Sequence, residues 1–293
     1  MHEGCVMGHR SPEIKAGLYI VATPIGTASD ISLRALDLIS EANVLVAEDK
    51  RQLLKLMGIH DIKLAGRPLM SYHDRNGHEQ RPKVLAMLNE NKSVVLVSDA
   101  GTPLIADPGY RLVSESIANG VYVSGAPGAS SVLAALTISG LPTDKFFFGG
   151  FVPPKLKAKR LFFSKYLNFP GTLIFYESAL RLSKTLSELC LVCNSDRPVV
   201  VCRELTKKFE DVRRGSLREV SAYFATFGKV KGEIVLLLGS APPKSFSEAE
   251  IDDILIDALD YMSFKDSVSF VSKRLNIAKK LVYDRALRIK SNV

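Results

Sequence analysis

The chain has 293 residues, 46% hydrophobic and 24% charged, with 39 Lys and Arg against 31 Asp and Glu for a formal net charge of +8. That balance excludes a disordered or fibrous chain, and the length suits one large or two medium α/β domains with a sizeable core. No uninterrupted apolar run approaches the roughly 18 residues of a membrane-spanning helix, and the basic excess favours an acidic partner, nucleic acid first.

Residues 1–16 carry no hydrophobic signal core and read as a disordered lead-in, so a cytoplasmic location is expected. Residues 17–22 read as a buried strand and 23–30 as a loop. A helix over 31–42 places Leu33, Leu36 and Ile39 on one face, with Asp30 as its expected N-cap. A strand at 44–47 and a helix over 50–57 closing on Gly58 follow. The run 94–97 is a strand ending in Ser98-Asp99, and Asp107-Pro108-Gly109 opens a helix to Asn119, with Asp107 as its cap. This alternation predicts a mainly parallel sheet in an N-terminal α/β domain over 17–125.

A second α/β domain is expected over 126–240, with strands at 145–148, 172–176, 198–202 and 233–238 and helices near 157–165 and 179–190. Pro242-Pro243-Lys244-Ser245 reads as a linker into a helical tail over 241–293. There an acidic amphipathic helix at 247–262 precedes two short helices split near Asn276. Residues 267–293 hold seven basic residues and one acid, fitting either a helix-turn-helix or a solvated basic face. Cys190 and Cys193 have C-x-x-C spacing, but no second ligand pair lies nearby and they end an apolar helical run. They read as small hydrophobes, and no metal site is expected.

Two loops that follow strands carry the chemistry. Thr23-Pro-Ile-Gly-Thr27 is neither a dinucleotide fingerprint nor a Walker loop. Ser98-Asp-Ala-Gly-Thr-Pro-Leu-Ile-Ala-Asp-Pro-Gly109 is too long and too rigidly written for a plain turn, and it leaves the carboxyl end of a strand, where α/β proteins bind ligands.

These segments, with Ala47-Glu-Asp-Lys-Arg51, Gly140-Leu-Pro-Thr-Asp144, Phe175-Tyr-Glu-Ser178, Arg203-Glu-Leu-Thr-Lys207 and Lys231-Gly-Glu-Ile234, closely resemble the tetrapyrrole-methylase superfamily. The resemblance is to the branch that methylates a cytidine ribose 2′-hydroxyl in 16S ribosomal RNA, and it spans about residues 17–239. It implies a two-domain tetrapyrrole-methylase fold, S-adenosyl-L-methionine in the inter-domain cleft and a homodimer. It also implies cofactor contacts at Pro24 and Gly26, and along Ser98, Asp99, Ala100, Gly101, Thr102, Pro103, Leu104 and Ile105. Ser130 and Ser131, then Tyr176, Glu177, Lys231 and Gly232, are implied on the other side. Lys50, Ala129, Ser131, Ala179 and Leu180 depart from the family pattern, so a His after Tyr-Glu-Ser cannot be carried over.

Transfer of a methyl group to a hydroxyl needs in-line alignment and removal of the hydroxyl proton. Glu48 and Asp49, at the end of an apolar strand, and the loop residue His73 are the candidate catalytic groups. Arg51 stands ready as an ion-pair partner or an RNA contact. Between 145 and 176 lie six basic residues and no acid, interleaved with Phe162, Phe163, Tyr166 and Phe169. The aromatics read as the buried face of a helix. Lys155, Lys157, Lys159 and Arg160, with Arg203, Lys207 and Lys208, are expected along an RNA approach to the small ribosomal subunit. Two other readings stand beside this one: methylation of a tetrapyrrole ring carbon, and a non-enzymatic RNA-binding protein of ribosome assembly.

Overall fold

The computed structural model describes residues 14–241, 246–275 and 277–291; residues 1–13 of the lead-in expected over 1–16 and the linker at 242–245 lie outside them, while Ile14 packs against the core of the first sheet. The chain divides into two compact units at Ala241.

The larger unit holds two sheets. The first is all parallel, in the order β3-β2-β4-β1-β5, built from β1 (Gly17–Val21), β2 (Val44–Ala47), β3 (Leu69–Ser71), β4 (Ser93–Val97) and β5 (Val123–Ala126). Strands β2 and β4 are buried along their whole length, as continuous apolar runs require when helices cover both faces. Helices α1 (Leu33–Glu41) and α2 (Lys50–Ile59) pack on one face through Leu38, Ile39, Leu53 and Met57. Helices α3 (Gly77–Asn89) and α4 (Tyr110–Ala118) cover the other through Val84, Leu88 and Leu112.

Three expected helix boundaries are corrected. Ser32, not Asp30, caps α1, its hydroxyl accepting from the Ala35 amide, because Asp30 is held in a preceding 3-10 turn. Helix α2 runs through Gly58 to Ile59 and ends on His60. Helix α4 starts at Tyr110 after Gly109, whose φ of 130° breaks the turn, so Asp107 caps nothing and is free to face elsewhere.

The second sheet is mixed, in the order β6-β7-β10-β8-β9. Its strands are β6 (Phe146–Phe151), β7 (Thr172–Ser178), β8 (Pro198–Arg203), β9 (Asp211–Ser216) and β10 (Glu233–Leu238), with only β6 and β7 parallel. Helix α5 (Ser131–Ser139) lays Val132, Ala135 and Leu136 on one face, against Ile174, Val200 and Val235. Helices α6 (Leu156–Tyr166), α7 (Leu182–Val192) and α8 (Leu217–Thr226) cover the other face through Phe163, Leu186 and Val220. Phe163 is fully buried, and Phe162, Tyr166, Phe169, Cys190 and Cys193 pack against the same core, as their apolar spacing predicts.

The smaller unit packs α9 (Glu248–Tyr261), α10 (Phe264–Leu275) and α11 (Lys279–Ser291) around Leu255, Val271 and Val282. A Ser247–Glu250 capping box starts α9, and Arg285 of α11 is clasped by Glu248 and Asp252.

Candidate functional site

The parallel sheet reverses direction of build between β1 and β4, the kind of switch point where loops part and leave a crevice. The two loops that leave there are tied to each other. The Thr23 amide donates to the Gly101 carbonyl at 2.9 Å and the Gly101 amide returns to Thr23 O at 3.0 Å. The Thr102 hydroxyl donates to Ala129 O at 3.0 Å, bringing the segment before α5 alongside.

Between these loops and the edge of the second sheet lies a cleft of about 650 Å³, within the range typical of small-molecule sites. One wall is Asp99, Ala100, Gly101, Thr102 and Ile105, with Ile25 and Glu48. The facing wall is Ser130, Ser131, Tyr176, Glu177, Lys231 and Gly232. Eleven of the sixteen residues expected at the cofactor therefore converge. Pro24, Gly26 and Ser98 instead edge a separate depression of about 160 Å³ that Asp99 shares. Pro103 is buried and Leu104 packs into the core beneath α4, so both support the wall from behind.

The loops that carry the cleft walls are strained next to the residues that line it. Among the described residues seven non-glycine positions have positive φ, and four of them, Leu104, Ala106, Glu204 and Thr206, sit in two loops of this region. A β-branched residue at φ 61°, as Thr206 is, persists only when its surroundings over-determine it. Here they do: Thr206 Oγ1 accepts from the Thr27 amide at 3.1 Å, and the Thr27 hydroxyl donates to Thr206 O at 2.5 Å. The loop after β8 thus clasps the loop after β1, and Ile25 is buried in the second half's core beside Leu205.

Of the carboxylates that line the cleft, Glu48 and Asp107 are held above the ordinary value. Burial, then the neighbouring charges of Asp99 and Asp107, push the Glu48 carboxyl above its ordinary value. Burial likewise raises Asp107, partly offset by its hydrogen bond with Ser98. Opposite them, burial raises the Tyr176 phenol, whose oxygen lies 2.7 Å from Ser131 Oγ. Asp107 was missed in the sequence because its place before Pro-Gly reads as a helix cap.

The remaining expected residues separate into groups. Asp49, Arg51 and His73 line an adjoining groove that shares only Glu48 with the cleft. Asp49 caps α2 and pairs with Arg51 at 2.6 Å, which holds its carboxyl down at about 2 and makes it a poor proton acceptor. Lys155, Lys157 and Lys208 are exposed, and Lys155 and Lys157 form no ion pair among the described residues. Arg160 pairs with Glu188 at 2.6 Å, Lys207 bridges Glu204 and Glu233 at 3.2 and 3.0 Å, and Arg203 lies over the Phe227 ring.

Lys159 corrects the expectation for that basic run. It is 1% exposed, its ammonium donating to Thr185 Oγ1 at 2.5 Å and lying 3.5 Å from Glu177 Oε2, so it cannot reach a phosphate. Glu177 also accepts from the Ser178 amide, Arg181 and Thr185, and its carboxylate is spent on holding the end of β7.

This fold and this cleft define a class: a sequence model of the tetrapyrrole (corrin/porphyrin) methylases matches residues 17–221, and the chain belongs to that family. Within it the chain is 40% identical to the ribosomal RNA small subunit methyltransferase I of Mesorhizobium japonicum, over 94% of this chain and 93% of that protein. It is 38% identical to the protein of the same name from Mycobacterium tuberculosis, over 92% and 94%. A solved uroporphyrin-III C-methyltransferase from Thermus thermophilus, complexed with S-adenosyl homocysteine, shares the fold with a TM-score of 0.53. It is 22% identical, with 77% of this chain and 98% of that one covered. Among the described residues no group of His, Cys, Asp and Glu is placed to hold a metal, and no helix is long and apolar enough to cross a membrane.

Proposed function

We propose that the protein is an S-adenosylmethionine-dependent methyltransferase of small-subunit ribosomal RNA, acting on the ribose 2′-hydroxyl of a cytidine. The observation that carries this reading is that most of the segments resembling the ribosomal RNA branch, far apart in sequence, line one cleft. The named relatives, matched across nearly their whole length, support the RNA substrate over a tetrapyrrole.

The cleft fits the cofactor. Its size suits a nucleoside-sized ligand, Ile25, Tyr176 and Val235 offer apolar surface, and the loop from Asp99 to Thr102 presents backbone polar groups. Asp99, Ser130 and Lys231 are the side chains placed to hold the polar ends of such a ligand. When bound, S-adenosylmethionine supplies an electrophilic methyl group. Glu48 and Asp107, carboxylates on the cleft wall that burial pushes above their ordinary value, are the groups we assign to take the hydroxyl proton, because a raised carboxylate is the stronger base. The exposed Lys155, Lys157 and Lys208 serve the phosphate backbone. A homodimer follows from the family resemblance and is checked by light scattering.

The test is incubation with tritiated S-adenosylmethionine and small ribosomal subunits lacking their own methylations, then digestion to nucleosides. Labelled 2′-O-methylcytidine is expected. Label in another nucleoside refutes the assigned acceptor, and cofactor binding without RNA label turns the reading toward a tetrapyrrole.

A further inference from the structure

Strand β6 reads Phe146-Phe-Phe-Gly-Gly-Phe151, and its side chains alternate between two faces. Phe147 packs into the core beneath α6 and α7, while Phe148 packs on the opposite face with Tyr176, ring centroids 4.9 Å apart. Gly149 returns to the first face, where an added Cβ would lie 2.6 Å from the Phe175 ring. Period two would then send position 151 to that same interior face.

It does not go there. The register with β7 slips between Phe148 and Phe151, so three steps on β6 match two on β7. Gly150, at φ 70°, takes up the extra residue. The bulge reverses the parity of the strand's last residue, a known use of bulges beside functional sites. Phe151 emerges on the cleft, 60% exposed, its ring 5.2 Å from that of Tyr176. Tyr176 is fixed from behind by Ser131, so Phe151 is a braced ring at the cleft mouth.

We infer that Phe151 is a stacking platform for a nucleobase of the RNA substrate at the mouth of the cleft. The inference rests on the function proposed above. Presenting a ribose hydroxyl inside a cleft requires its nucleotide to leave the neighbouring stack, and an aromatic face replaces the stacking lost. Charge supports the same occupant. Lys155 follows Phe151 closely in sequence, is exposed and forms no ion pair among the described residues, so it is free to meet a phosphate of the substrate. The ring's exposure at the rim suits a base that arrives and leaves with each turnover.

The test compares wild type with Phe151→Ala, Phe151→Leu and Phe151→Tyr as full chains. Methyl transfer to unmethylated small subunits, S-adenosylmethionine affinity by calorimetry and melting temperature are measured for each. Alanine and leucine are expected to lower kcat/KM by roughly 5- to 150-fold, the worth of stacking on one base, with tyrosine within about threefold of wild type. Cofactor affinity should stay within about twofold throughout if the ring serves the RNA. A leucine variant as active as wild type overturns the platform, since bulk alone then suffices. A cofactor affinity that falls in step with kcat/KM also overturns it, because the ring would then stack on the cofactor's adenine. Wild type that methylates no subunit brings down the functional reading itself, whereas an active wild type matched by Phe151→Ala refutes the platform alone.

Discussion

Replacing Lys159 by methionine tests whether the buried pair holds the cleft edge. The Lys159 and Glu177 side chains are 1% and 0% exposed, so neither charge is relieved by water. Methionine keeps most of the stem's packing and removes the ammonium. Glu177 then still accepts from the Ser178 amide at 2.6 Å, Arg181 at 2.9 Å and Thr185 at 2.5 Å. The loss is therefore one charge-assisted contact and part of a counter-charge, about 2–3 kcal/mol. Glu177→Gln is worse, because it strands a buried ammonium against a single hydroxyl, and about 3–5 kcal/mol is expected. The double variant should lose less than the sum, since each single change already breaks the same contact. Urea unfolding followed by tyrosine fluorescence reads this directly, as the chain has nine Tyr and no Trp. A Lys159→Met loss within about 0.5 kcal/mol, typical of an exposed surface site, would refute the argument.

Other outcomes follow from the same geometry. Charge reversal of Lys155 and Lys157 together should weaken RNA binding and lower the slope of log affinity against log salt by roughly 1.4–1.8, with cofactor affinity unchanged, as filter binding across a salt series would report. Glu48 and Asp107 both titrate above the ordinary carboxylate value. The basic form is lost as pH falls through the raised value, so the acid limb of the methyl-transfer profile should be displaced upward from the ordinary carboxylate value. Whichever of Glu48→Gln and Asp107→Asn abolishes that limb along with the rate identifies the base; a limb in the ordinary range contradicts the assignment. Burial pushes the Cys202 thiol up to about 12, so iodoacetamide at neutral pH should leave it unmodified in the native protein, with peptide mapping as the check.

Much of the fold is legible because apolar runs announce buried strands: 94–97 and 233–238 read as strands and lie fully or almost fully buried. Strand β9 escapes because Asp211-Val-Arg-Arg-Gly-Ser216 is an edge strand with little apolar surface to bury. Helix α3 escapes because its first half is polar and Pro82, a residue that ordinarily ends a helix, stands inside it. The cleft wall is legible where a loop is rigidly written, as at 99–102 and Ile105, though Ser98, Pro103 and Leu104 of the same loop turn away from it. Single side chains are harder: Lys159 looks like a solvent cation until Thr185 and Glu177 surround it. Phe151 had a local signal, two glycines in an apolar strand, which marks a bulge.

The slip in β6 also bears on how this family diverges. A one-residue deletion at Gly149-Gly150 would leave the strand's length, composition and pairing nearly intact, yet turn the last aromatic from the cleft mouth into the packing beneath α6. Two members that differ by a single gap here can therefore share a fold and a cofactor while presenting different entrances to their substrates. A gap of the same size in the segment from 140 to 145, which joins α5 to β6, carries no such reversal. In an alignment of relatives the position of a gap relative to Phe151 thus tells whether the last aromatic of the strand faces the cleft or the core, a difference that percent identity does not register.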